Sequence, residues 1–103
     1  MAGEYNPPNK GEALIFYIGL DDPNNEGKFK SNPTIAAGDF QVSIDDGALA
    51  NLATTPSVSP ASSKRVKISL TAAEMTGDNI TIIGSDQTSP NEWNDFMVNI
   101  VTS

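Results

Sequence analysis

The chain has 103 residues, a formal net charge of −7, 38% apolar residues, and neither cysteine nor histidine. That length suits one domain with a modest core. The missing residue types exclude disulfides, thiolate metal sites and imidazole acid–base chemistry.

Residues 1–11 read as an extended arm. Pro7 and Pro8 disfavour helix for themselves and for the residue before them, and no periodic apolar pattern exists to dock one. Tyr5 is the one large amphipathic side chain there, so if it is buried, another subunit is its natural cover. The polar start resembles no signal peptide, and the longest apolar candidate, residues 14–18, is far short of the roughly 18 residues of a membrane span. A soluble chain without an export signal is expected.

Residues 12–103 read as a single β-domain. Ala13 to Ile18 is a continuous apolar run rich in β-branched and aromatic residues, closed by Gly19 and the turn-forming residues 21–25. Unbroken apolarity predicts cover on both faces, one by the core and one by a neighbour. Lys28-Phe29-Lys30 alternates weakly. Phe40, Val42 and Ile44 alternate with polar residues, and Asp46-Gly47 then predicts a hairpin over 40–52. Thr54 to Ser63 is a Ser/Thr/Pro connection with a short strand at Val58. Val66, Ile68 and Leu70 point inward along the next strand, with Arg65, Lys67 and Ser69 outward. Thr71-Ala72-Ala73-Glu74 fits a capping box, and Gly77 limits it to one helical turn. Asn79 to Ile83 follows, with Ile80 and Ile82 on one face. The last strand spans 92–102, with Phe96, Val98 and Ile100 on one side and Met97, Asn99 and Val101 on the other. About seven short strands with turn signals every 8–12 residues predict an antiparallel β-sandwich of immunoglobulin-like size; a partly open barrel is the alternative.

Candidate chemistry is sparse. Asp21-Asp22-Pro23-Asn24-Asn25-Glu26 concentrates oxygen ligands but lacks the spacing and central glycine of a calcium loop, and reads as an exposed turn. Asp45-Asp46 and Glu92/Asp95 are carboxylate pairs of the type a glycosidase needs. The first sits at a turn, and the second falls on opposite faces of a strand. Serine chemistry lacks a base, since Ser63-Lys64 has nothing in view to depress the lysine's pKa. No phosphate-binding or dinucleotide-binding glycine motif is present. No catalytic residue, cofactor or metal is expected.

Charge is unevenly spread. All six bases lie in residues 1–67 with eight acids, whereas residues 68–103 hold five acids and no base. A basic footprint for nucleic acid is missing, and a basic protein surface is the better complement for the acidic end. Lys64-Arg65-Val66-Lys67 reads first as a lysine-guarded edge strand and second as a contact for an acidic partner. Trp93 reads as a core plug.

Three stretches carry a family resemblance. Asn32-Pro33-Thr34-Ile35-Ala36-Ala37-Gly38-Asp39-Phe40-Gln41-Val42-Ser43 runs into the Asp46-Gly47 turn. Val66-Lys67-Ile68-Ser69-Leu70-Thr71-Ala72-Ala73-Glu74-Met75-Thr76-Gly77-Asp78 follows, and Glu92-Trp93-Asn94-Asp95-Phe96-Met97-Val98-Asn99-Ile100 closes the chain. Over residues 12–103 this resembles the small β-sandwich virion structural proteins of tailed bacteriophages, and among them most the head decoration (cement) proteins. Similar units occur in tail and fibre proteins, where host glycan is a possible ligand. The resemblance implies a non-enzymatic protein on the capsid exterior, present in the host cytoplasm during assembly. It would bind the major capsid protein as a homo-oligomer, with trimers around local three-folds as one arrangement, and contact neither nucleic acid nor membrane. The residues expected at the partner interface are Tyr5, Pro7, Pro8, Lys10, Phe16, Lys28, Phe29, Lys30, Arg65 and Lys67.

Overall fold

A computed structural model describes residues 7–103. It contains seven strands and one 3₁₀ turn: β1 Leu14–Ile18, β2 Phe40–Ile44, β3 Ala50–Asn51, β4 Ser57–Val58, β5 Val66–Leu70, the turn Ala73–Met75, β6 Asn79–Gly84 and β7 Phe96–Val101. They form two antiparallel sheets, one ordered β1-β5-β4 and the other β3-β2-β6-β7. The expected β-sandwich is the fold of this chain.

Period-two patterning explains the two layers. Val66, Ile68 and Leu70 from one sheet and Phe40, Val42, Ile80, Ile82 and Ile100 from the other are buried and face each other. Trp93 and Phe40 fill the centre, their rings stacked at 5.4 Å, and Phe96 leans in at 6.2 Å from Phe40. Trp93 is fully buried, and its indole N–H donates to the carbonyl of Thr34 at 3.2 Å. Its placement as a core plug holds. Gly84 has to be glycine, because a Cβ there would lie 2.6 Å from the Phe40 ring.

Two turns are built by side chains. Thr71 and Glu74 form the anticipated capping box: the Glu74 N–H donates to Thr71 Oγ1 at 3.1 Å, and the Thr71 N–H donates to Glu74 Oε1 at 2.9 Å. The other carboxylate oxygen accepts the Ala53 N–H at 2.9 Å, tying the connection after β3 to this turn. The 40–52 hairpin forms, but one residue earlier than Asp46-Gly47 implies. Asp45 and Asp46 take the positive φ values (49° and 64°), and the Gly47 N–H donates to Ile44 O at 2.9 Å. The reason lies on the neighbouring strand of the same sheet, where Asp45 Oδ1 accepts the backbone N–H groups of Asp78 and Asn79, at the start of β6, at 2.9 and 3.0 Å.

Three further expectations need correction. β5 is central in its sheet, so the Lys64–Lys67 cluster does not guard an edge; its outward side chains lie over a paired strand. The last strand begins at Phe96 rather than 92, because residues 92–94 are held by loop contacts. The Glu92 N–H donates to Asp86 Oδ2 at 2.6 Å, the Asn94 N–H to Asp21 O at 3.0 Å, and the Glu92 carboxylate accepts the Thr34 N–H. Finally, β1 is covered on one face only: Leu14, Phe16 and Ile18 are half-buried against the core, while Ile15 and Tyr17 are exposed.

Candidate partner-binding surface

The outward face of the three-stranded sheet gathers residues far apart in sequence. Antiparallel register sets Tyr17 opposite Lys67 and Ile15 opposite Ser69. One strand over, Ser57 lies opposite Lys67. The Arg65 guanidinium sits 4.0 Å above the Tyr17 ring, and its Nε donates to the Ser59 carbonyl at 2.7 Å. A cation over an aromatic face at that distance is attractive, and the carbonyl fixes the planar group in place.

Phe29 completes the surface from the 19–30 loop. A single antiparallel bridge, Asp21 to Phe29, closes that loop, and the Lys30 N–H donates to Leu20 O. The Phe29 ring then lies on Gly19, where a Cβ would come within 2.7 Å of it. Tyr17, Phe29, Lys64 and Arg65 border a shallow depression of about 320 Å³. Ile15, Tyr17 and Phe29 are each about half exposed, at 55%, 45% and 51%. A chain of net charge −7 thus presents apolar rings interleaved with Arg65, Lys67 and Lys64 on one face. Tyr and Arg dominate binding hot spots, and the basic side chains fit an acidic partner.

The expected interface residues divide. Phe29, Arg65 and Lys67 belong to this face, with Lys28 exposed and Lys30 half-buried in the adjoining loop. Phe16 does not, because it alternates inward and packs on the core. Pro7, Pro8 and Lys10 lie at the other edge of the molecule, beside β7. The Ser103 N–H donates to Pro8 O at 3.0 Å, the Lys10 N–H donates to Ser103 O at 3.1 Å, and the Lys10 ammonium pairs with Asp78. Asp78 raises the Lys10 pKa by hydrogen bonding and charge. Tyr5 lies outside the described residues. Sequence reasoning passed over Ile15 and Tyr17, although their alternation with Leu14, Phe16 and Ile18 was the available signal.

A second apolar feature opens between the sheets. Pro7 and Pro8, Leu14 and Phe16 of β1, and Val98 and Ile100 of β7 line a groove of about 680 Å³ along the seam. The acidic 21–26 loop is a self-satisfied turn. Asp22 accepts the Asn25 side-chain amide and the Asn24 N–H, and these bonds hold its carboxyl below the ordinary range. Among the described residues no three carboxylates converge as a metal site.

Fold and surface together define a small antiparallel β-sandwich with an apolar-and-basic sheet face. Comparison with known protein families, curated proteins and solved structures finds no match.

Proposed function

We propose that this chain is a non-enzymatic structural protein of a tailed-bacteriophage virion, a head decoration protein that binds the outside of the major capsid protein and stabilises the shell. The sequence resemblance over residues 12–103 supplies the family. The observation that carries binding over catalysis is the sheet face on which Ile15, Tyr17 and Phe29 are exposed beside Arg65 and Lys67. An exposed strand surface of that composition, with only a shallow depression, suits a protein partner better than a small substrate.

The test is co-sedimentation of purified protein with emptied phage heads, followed by counting bound copies per shell. The wild type should saturate the shells, and a Tyr17→Asp/Arg65→Glu double variant with unchanged circular dichroism should bind at least tenfold more weakly. Equal binding by that variant rejects the sheet face as the contact. Sedimentation with purified tails, and none with heads, replaces the decoration reading with a tail or fibre module. For that alternative, Trp93 is too deeply buried to stack on a sugar, which leaves Tyr17 and Phe29 as the exposed rings among the described residues.

A further inference from the structure

We infer that the depression bordered by Tyr17, Phe29, Lys64 and Arg65 is a socket for a carboxylate side chain, an aspartate or glutamate carried by an acidic segment of the protein partner. The inference rests on the outer face of the β1-β5-β4 sheet being the binding surface, and it names what that surface grips. Arg65 is the group that holds the carboxylate, and it is fixed in advance. Its backbone N–H donates to Ser63 Oγ at 3.2 Å, and its carbonyl accepts the Ser59 N–H at 3.0 Å. Its side chain is held at two points, with the guanidinium carbon 4.0 Å from the Tyr17 ring centre and Nε 2.7 Å from the Ser59 carbonyl.

Those contacts use Nε and leave both Nη groups without an acceptor among the described residues. The two Nη groups form a planar fork that matches the two oxygens of a carboxylate. A fork already held in place loses little further freedom on binding, so more of the interaction appears as affinity. Neither contact cancels the charge, because a tyrosine ring and a peptide carbonyl are both neutral. Arg65 is exposed, so an incoming side chain can reach it.

Charge complementarity selects the occupant. The chain carries 13 acids and six bases, yet the bases of this face are left unpaired. Among the described residues the one ion pair is Lys10 with Asp78, at the other edge of the molecule. β1, β4 and β5 contain no acid. Asp22 lies close enough to feel the charges of Lys30 and Lys64, but its oxygens accept the Asn24 N–H and the Asn25 amide. An acidic chain that keeps its acids off one basic face leaves that face as the complement of an acidic partner. Ile15 and Phe29, 55% and 51% exposed, call for apolar side chains beside the carboxylate. Nucleic acid is a poorer occupant, since it needs a broader basic footprint than Lys64, Arg65 and Lys67 and is repelled by a net charge of −7.

The probe is an end-capped peptide of alternating glutamate and leucine, titrated into the full chain while backbone amide and guanidinium N–H resonances are followed by NMR. The Arg65 Nε–H and the amides of Tyr17, Gly19 and Phe29 should shift together. Replacing glutamate by glutamine in the peptide should weaken binding at least about tenfold, and so should Arg65→Lys, which keeps the charge but loses the fork. Lys64→Ala should weaken it by no more than about threefold, because an exposed lysine adds only screened attraction. Three results overturn the proposal: equal binding of the glutamine peptide, an Arg65→Lys variant that binds as the wild type does, or tighter binding of dextran sulfate at the same resonances, which would make the ligand an anionic glycan. The capsid reading fails separately. Peptide binding by a chain that ignores phage heads keeps the socket and rejects the capsid partner. Head binding that is lost in the Tyr17→Asp/Arg65→Glu variant, with no binding of the peptide, keeps the face and rejects the socket.

Discussion

Replacing Glu74 by alanine tests the idea that one carboxylate holds two connections of the sandwich at once. Glu74 is buried, and its two oxygens accept the N–H groups of Thr71 and Ala53, both at 2.9 Å. Hydrogen bonds to a charged acceptor contribute about 1.5–3 kcal/mol each. Ala53 is exposed and Thr71 half-buried, so water can partly replace the lost acceptor at both N–H groups. That places each loss near the low end and the total at about 2–3 kcal/mol. Urea unfolding followed by the emission of Trp93, the only tryptophan, reads this directly. With a slope of about 1 kcal/mol per molar urea, the midpoint should fall by about 2–3 M. Glu74→Gln keeps one acceptor oxygen but turns an NH₂ toward the other donor, and should cost about half as much. A Glu74→Ala midpoint within about 0.5 M of wild type would refute the reasoning.

Other substitutions probe separate features. Gly84→Ala forces a Cβ into the buried Phe40 ring and should destabilise by about 1–3 kcal/mol, as overpacked cores do; a thermal midpoint unchanged within error contradicts it. Asp45→Ala removes the acceptor for two backbone N–H groups and strains a residue at φ 49°. It should cost about 2–3 kcal/mol, whereas Asp45→Asn, which tolerates that φ and keeps an oxygen, should cost visibly less. Asp86 gives a pH dependence. Burial pushes its pKa up, but the N–H groups of Thr88 and Glu92 outweigh that and hold it below the ordinary 3.8. A lowered folded pKa means stability that is complete above about 3.8 and is lost as pH falls through the folded value. The stability gap between wild type and Asp86→Asn should therefore be larger at pH 7 than at pH 2.5, and an equal gap at both refutes it.

Local features of the chain were legible without coordinates. Alternation of Val66, Ile68 and Leu70, and of Phe96, Val98 and Ile100, marks strand faces because side chains alternate at every step regardless of what lies beyond. The capping box at Thr71 and Glu74 is equally local, since its two bonds join residues three apart. What needed the tertiary structure was every property set by which strands are neighbours. Lys64–Lys67 suggested an edge, yet β4 pairs outside β5, so those side chains became a sheet face. Phe16 looked available in an unbroken apolar run, yet a second sheet across the core claims its side of β1.

The binding surface shows the same division. The sequence by itself determined that an acidic chain without histidine or cysteine folds as a small β-domain, because composition and periodicity act residue by residue. Only the tertiary structure decided that Tyr17, Phe29, Arg65 and Lys67 share one face and that β7 lies at a sheet edge. Strand order depends on which long-range pairings bury the most apolar surface together, and no local pattern of residues encodes that choice.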